Sequence, residues 1–234
     1  DKTLTLKGEG ADVVTIDANG GEFAINVGHD GSGAVPAPGS VVEGFRFTNA
    51  STGIAVTEKA PNCIIRNNVF KNISQNAVHV DQFTWNTTIE GNVFDGGTHN
   101  YGALWVGGQN TTVRDNIIKN CTGLYGALYI TNESRYSKIE NNTIINNTGA
   151  GILIQLGVSG GGYNTITRND IRSNGYGFIF YYAPPGNEIY LNNIVDNAVT
   201  AKDFSGSPPV TYWNSTEPIE YVWNGTTYTG YLGN

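Results

Sequence analysis

The phrase Ile139-Glu-Asn-Asn-Thr-Ile144, followed after a polar corner by Gly151-Ile-Leu-Ile154, recurs down most of the chain. Its first half returns as Val42–Phe47, Ile65–Phe70, Ile89–Phe94, Val113–Ile118, Ile166–Ile171 and Ile189–Ile194, with starts 23 to 27 residues apart. Its second half returns as Gly53–Val56, Ala77–Val80, Ala103–Val106, Ala127–Ile130 and Gly177–Phe180. A period of this size, built of short β-rich segments without a 3.6-residue pattern between them, is that of a solenoid in which each repeat is one coil of sheet.

Parallel coils place equivalent residues above one another at roughly 4.8 Å, so the copies should align as columns. Position one is Val or Ile in every copy, and position six is Phe or Ile. In the second half, Ile54, Val78, Leu104, Leu128, Ile152 and Phe178 form one apolar column, and Val56, Val80, Val106, Ile130, Ile154 and Phe180 form another. These inward columns predict a core of about four continuous aliphatic stacks.

Position four is Phe45 in the first copy and then Asn68, Asn92, Asn116, Asn142, Asn169 and Asn192. A corner between two strands strands backbone N–H and C=O groups, and an amide stacked on its own kind in the next coil satisfies them. The spacing therefore predicts a structural asparagine ladder. Position two reads Glu43, Arg66, Glu90, Arg114 and Glu140, an alternation of sign between coils that favours one register.

The repeat I-x-x-N-x-[IF]-x-N…[GA]-[IVL]-x-[IV] resembles the right-handed parallel β-helix repeats of the NosD-like and carbohydrate-binding/sugar-hydrolase β-helix group, common in archaeal cell-surface proteins. The tail Tyr212-Trp-Asn-Ser-Thr-Glu-Pro-Ile-Glu-Tyr221 resembles segments that follow such repeats. The resemblance spans nearly the whole chain. It implies an all-β, single-stranded right-handed parallel β-helix of about eight coils over residues 1–204. Function is left open, since one fold hosts enzymes, binding modules and scaffolds. Residues 205–234 read as a linker and a C-terminal β-hairpin cap, with Asn224-Gly225 at its turn. Trp213, Tyr221 and Trp223 read as cap residues over the open coil end.

The 234 residues suffice for one solenoid and give no sign of a second globular domain. A net charge of −7 without a basic stripe argues against nucleic acid. No apolar run reaches membrane-span length and no signal peptide is present, and the strand-like opening reads as a mature or excised piece of something longer. The coil begins with Asp1–Leu6, Val13–Ile16 and Phe23–Val27. The excursion Gly28–Ser40, with His29 and Asp30, is a place where function can reside; the glycine run in 156–164 lacks the following helix a phosphate cradle needs.

Cys63 and Cys121 fall at different corners two coils apart and are expected as separate buried thiols. No zinc-type spacing of His and Cys exists, and neither a metal nor a cofactor is expected. Three His and no Met give copper little to bind. Ten Asn-x-Ser/Thr sequons fit a secreted, glycosylated surface protein, although Asn corners and Thr-rich strands generate sequons by themselves. Asn72, Asn120 and Asn146 share a corner column and read as ladder members. Asn86, Asn110, Asn132, Asn214 and Asn224 read as loop residues and as the glycosylation candidates.

No nucleophile elbow, His-Glu-x-x-His motif or Cys–His pair appears. The outward Glu43, Glu90 and Glu140 stack beside arginines as supports. A noncatalytic cell-surface module with a structural, adhesive or glycan-binding role is favoured over a carbohydrate-active enzyme, which would need two unpaired carboxylates facing one cleft. In the second strands the outward residue is, coil by coil, Asn26, Ala55, His79, Trp105, Tyr129, Leu153 and Ile179. His79, Trp105 and Tyr129 are expected to form an amphipathic strip, edged by Asp81, Glu133, His99 and Tyr101. Such a strip suits a glycan or a neighbouring copy of the protein, so self-association is a further expectation.

Overall fold

The computed structural model describes residues 2–28, 36–99, 101–123, 125–131, 133–155, 161–182, 185–204, 211–224 and 226–234. His29, Asp30 and the rest of 29–35, the glycine run at 156–160, the linker at 205–210 and Asn132 lie outside them, as do the side chains of Tyr221 and Trp223.

The chain runs through three parallel sheets in turn. The first sheet has nine strands, from Thr5–Lys7 to Thr211–Tyr212, and the second and third have eight each, beginning at Thr15–Asp17 and Phe23–Val27. Each six-residue phrase therefore spans two strands: Lys138–Glu140 lies in the first sheet and Thr143–Ile145 in the second, with Asn141-Asn142 turning the corner. Register is strict, with Ile89 opposite both Ile65 and Val113, and Phe94 opposite both Phe70 and Ile118. The six coils carrying Asn68 to Asn192 are closed; the flanking first and last coils are open, with Leu6 and Ile16 only half-buried and Val199–Asp203 exposed throughout.

The predicted columns are the core. Phe47, Phe70 and Phe94 stack at 5.0 Å between successive rings, and Ile54, Val78, Leu104, Leu128, Ile152 and Phe178 are fully buried. Completely burying one such side chain stabilises by about 1.5–3 kcal/mol, so the stacks dominate the fold's stability.

The ladder at the first corner is continuous. Each Asn accepts through Oδ1 from the backbone N–H and the amide of the Asn one coil earlier, as Asn142 does from Asn116 at 3.0 Å each. Each amide also reaches the carbonyl of position one in the previous coil, as Asn142 reaches Val113 at 2.9 Å. Asn68 starts the ladder by accepting from the Phe45 N–H, and Asn234 ends it, accepting from Asn192 and donating to the Ile189 carbonyl at 2.8 Å.

Two further ladders exist, one at a corner where a ladder was expected from the adjacent residues and one that was not anticipated. At the second corner Asn147, Asn174 and Asn197 repeat the same bonds; at the third, Ser137, Asn164 and Asn187 do. Asn72, Asn120 and Asn146 are not ladder members. They stand one residue before the second ladder's column, exposed, with φ of 52°, 57° and 57°. The two cysteines are free and buried, as expected. Cys121 occupies the second ladder's column, its N–H donating to Asn147 Oδ1 at 2.9 Å, while Cys63 lies at the third corner with Sγ 3.1 Å from the Ala60 carbonyl.

Trp213 covers the end of the solenoid as expected, together with the returning chain end. Trp213 sets its ring edge-on to Phe178 and Phe180, at 5.8 Å from each. The chain end returns across the last coil, with Leu191 N–H donating to the Gly233 carbonyl at 2.7 Å. The hairpin of Ile219–Trp223 and Thr226–Gly230 forms its own two-stranded sheet, and most of its described side chains are exposed.

Candidate functional site

The third sheet has an outward column in the predicted register, Asn26, Ala55, His79, Trp105, Tyr129, Leu153 and Ile179. His79 stacks on Trp105 with ring centroids 5.0 Å apart and planes 20° apart, while Tyr129 meets Trp105 edge-on at 5.0 Å and 78°. The column is not a uniformly open strip. Tyr129 is 5% exposed and Leu153 fully buried, and with Ala150 and Ile179 they form a small apolar cluster outside the solenoid.

Two tyrosines arriving from the preceding corner complete the site. Tyr101 is 47% exposed; it lies edge-on to Trp105 at 5.2 Å and parallel to Tyr125 at 5.5 Å. Tyr125 is half-buried and also 6.4 Å from Tyr129. Each tyrosine is followed by a glycine with left-handed φ, Gly102 at 111° and Gly126 at 100°, a backbone state open to glycine. A Cβ on Gly126 would stand 2.5 Å from the Ala150 carbonyl oxygen, so this turn over the sheet edge requires glycine twice over. The repeated Tyr101-Gly-Ala-Leu104 and Tyr125-Gly-Ala-Leu128 is the sequence signal that identifies Tyr125.

Polar groups flank the rings. The Tyr129 hydroxyl donates to Gln155 Oε1. Asp81 Oδ1 accepts from the Phe83 N–H at 2.9 Å, and a Glu133 oxygen accepts from Thr131 Oγ1 at 3.0 Å. Burial holds the His79 imidazolium below the usual histidine range, against an opposing pull from Asp81. Burial pushes the Tyr129 hydroxyl up to about 12, with Glu133 adding to the shift. His99 does not edge the patch: it is buried at the second corner, with Nδ1 2.8 Å from the Gln75 carbonyl and Nε2 3.3 Å from that of Gly96.

The sequon asparagines Asn86, Asn110, Asn214 and Asn224 are exposed. Asn86 and Asn110 are not irregular loop residues, however. They occupy the third corner's left-handed column with φ of 58° and 50°, equivalent to Asn72, Asn120 and Asn146 at the second. Of the nine sequon asparagines among the described residues, eight have left-handed φ: Asn49, Asn72, Asn86, Asn110, Asn120, Asn141, Asn146 and Asn224. Corner geometry thus accounts for much of the sequon density.

Two of the outward carboxylates of the first sheet are engaged; Glu140, expected as a third support, forms no ion pair among the described residues, because Arg114 beside it turns to Glu90 and its other register neighbour is Thr167. Glu43 lies 3.2 Å from Lys7 and 2.5 Å from Arg66, and Glu90 lies 2.5 Å from Arg114. The Arg66 guanidinium, then Lys7, hold the Glu43 carboxyl below the usual range.

These features define a parallel β-helix with an aromatic patch on the outer face of one sheet. The chain belongs to the NosD family, whose model, described as "Periplasmic copper-binding protein (NosD)", matches residues 15–234. No curated protein sequence matches it. Among solved structures it is similar to the A-module of the Azotobacter vinelandii mannuronan C-5 epimerase AlgE6, at 14% identity and a TM-score of 0.47, covering 75% of this chain and 58% of that one. It is also similar to a mutant tailspike protein of E. coli bacteriophage HK620, at 12% identity and a TM-score of 0.34, covering 84% of this chain and 44% of that one. Likeness at this level says nothing of what this chain binds.

The described residues do not fit copper. No group of three or more His, Cys, Asp and Glu side chains that could hold a metal ion occurs among them. Both nitrogens of His99 face carbonyl oxygens, His79 is stacked on Trp105, and the two thiols sit in separate corner columns. No helix among the described residues is long and apolar enough to cross a membrane.

Proposed function

We propose that the chain is an extracytoplasmic β-helix module that binds glycans through the rings of Tyr101, Trp105 and Tyr125, with His79 and Tyr129 holding Trp105 in place. The observation that carries this reading is the ring cluster itself. Tyr101, carried by the corner before the strand Leu104–Val106, is half exposed, and the neighbouring aromatic rings fix its orientation. Aromatic faces with polar tips pack against the C–H faces of pyranose rings and reach their hydroxyls. Rings packed against one another over a sheet need little ordering on binding, which favours affinity. The family's periplasmic description supports an extracytoplasmic location.

The paired state of Glu43 and Glu90 gives no reason to assign a reaction to the first sheet. Glycan-array binding of the parent protein, Tyr101→Ala and Trp105→Ala tests the proposal, with sedimentation velocity run alongside. Both variants should lose array signal while keeping the parent's melting temperature within a few degrees. Unchanged binding refutes the reading, and a loss of self-association without any array signal assigns the patch to a second copy of the chain.

A further inference from the structure

We propose that the patch selects glycans carrying free amino groups over acidic glycans. The inference rests on the glycan reading above and deepens it. Tyr101 lies within 14° of the plane of Tyr125 and within 23° of that of Tyr129, and it stands at 65° to Trp105, on whose own face His79 stacks; the half-exposed ring of Tyr101 is therefore the π surface open to a ligand. An exposed tyrosine face attracts a cation through its negative π cloud.

The charged groups beside the rings have the matching sign. Asp81 directly follows the strand Asn76–Val80 that carries His79, and it acts electrostatically on that imidazole. Glu133 lies three residues beyond the strand Leu128–Ile130 that carries Tyr129. Its carboxylate is held by Thr131 and is close enough to disfavour ionisation of the Tyr129 hydroxyl. The cations nearby do not offset them. Arg135, two residues past Glu133, is half-buried and already engaged. Lys202 continues the outward column four coils beyond Trp105, where its ammonium lies 5.5 Å from the Phe204 ring centre. A uronate carboxylate at this patch would be repelled by two carboxylates of like charge; an ammonium would meet a tyrosine face and two counter-charges.

Three oligosaccharides of equal length provide the test: glucosamine oligomers, their N-acetylated counterparts and oligogalacturonates. Each is titrated calorimetrically into the parent protein at slightly acidic pH, where the amines are protonated. The glucosamine oligomer should bind about fivefold more tightly than the acetylated one, the gain expected from one solvated charge contact at about 4 Å. The oligogalacturonate should bind weakest. The preference should vanish in the double variant Asp81→Asn, Glu133→Gln, whose side chains retain the oxygens that accept from Phe83 N–H and Thr131 Oγ1. Equal affinity for the first two, or tightest binding of the uronate, overturns this inference and leaves glycan binding standing, provided Trp105→Ala abolishes it. Absence of binding by all three overturns both.

Discussion

Asn141 and Asn142 are adjacent, identical in chemistry and opposite in role. Asn142 points into the corner and is 1% exposed; its amide lies 2.9 Å from the Val113 carbonyl, 3.0 Å from that of Glu140 and 2.9 Å from Asn169 Oδ1. Asn141 is exposed with φ of 58°, and its amide donates outward to Asp115 Oδ1 at 2.5 Å. One residue acts through what its side chain bonds, the other through the backbone state it tolerates. The pattern repeats around the molecule, in Asn67-Asn68 at the first corner and Asn146-Asn147 at the second. Residue type alone therefore does not identify a ladder; the difference lies in which member of the pair faces the core.

The comparison predicts unequal costs. Asn142→Ala leaves the Asn116 N–H without its acceptor and removes the amide bond to the Val113 carbonyl in a dry corner, and should destabilise by about 3 kcal/mol, at the upper end for buried groups left without partners. Asn141→Ala keeps all those bonds and should cost about 1 kcal/mol, the steric penalty of a left-handed alanine. Asn141→Gly removes that penalty and should fall within a few tenths of a kcal/mol of the parent. Urea unfolding of the three variants checks the order. If Asn141→Ala costs as much as Asn142→Ala, backbone conformation and not the amide ladder holds this corner.

The first ladder is legible in the sequence because its column keeps one residue type over six coils, and the core columns are legible for the same reason. The second column reads Ala50, Ile73, Gly97 and Cys121 before it becomes Asn147, and the third passes through Cys63, Thr87 and Thr111 before Ser137 and Asn164. Each breaks the residue-type pattern while the backbone keeps the same turn, so periodicity alone could not find them. The outward position of His79, Trp105 and Tyr129 follows from strand alternation. How far each is covered does not, because cover comes from corner segments of unequal length: Tyr101 and Tyr125 sweep over the sheet, whereas His99, from the same corner, turns inward. Trp213 could be read as a cap because a coil end must hide its apolar stacks, but the return of Asn234 into the ladder has no periodic signature.

The smallest effect, absent at neutral pH, concerns the two positions where a thiol stands among the corner columns. Burial pushes the Cys63 thiol up to about 11 and the Cys121 thiol to about 12, against an ordinary value of 9.0. In the unfolded chain both ionise near that ordinary value, so above it the unfolded state binds fewer protons than the folded one. By linkage, stability then falls as pH rises. Stability from these thiols is complete below about pH 9 and is lost progressively through about pH 11 to 12, a window in which Tyr129, held at about 12, adds in the same direction. The double variant Cys63→Ser, Cys121→Ser should lose part of this alkaline slope, whatever its stability at neutral pH. In the native protein neither thiol should react with an aromatic disulfide reagent near pH 8, because the attacking thiolate is scarce and enclosed. Rapid labelling of Cys121 without unfolding would mean that the second corner opens locally there, and that a thiol in the ladder column does not close the turn as Asn147 does one coil later.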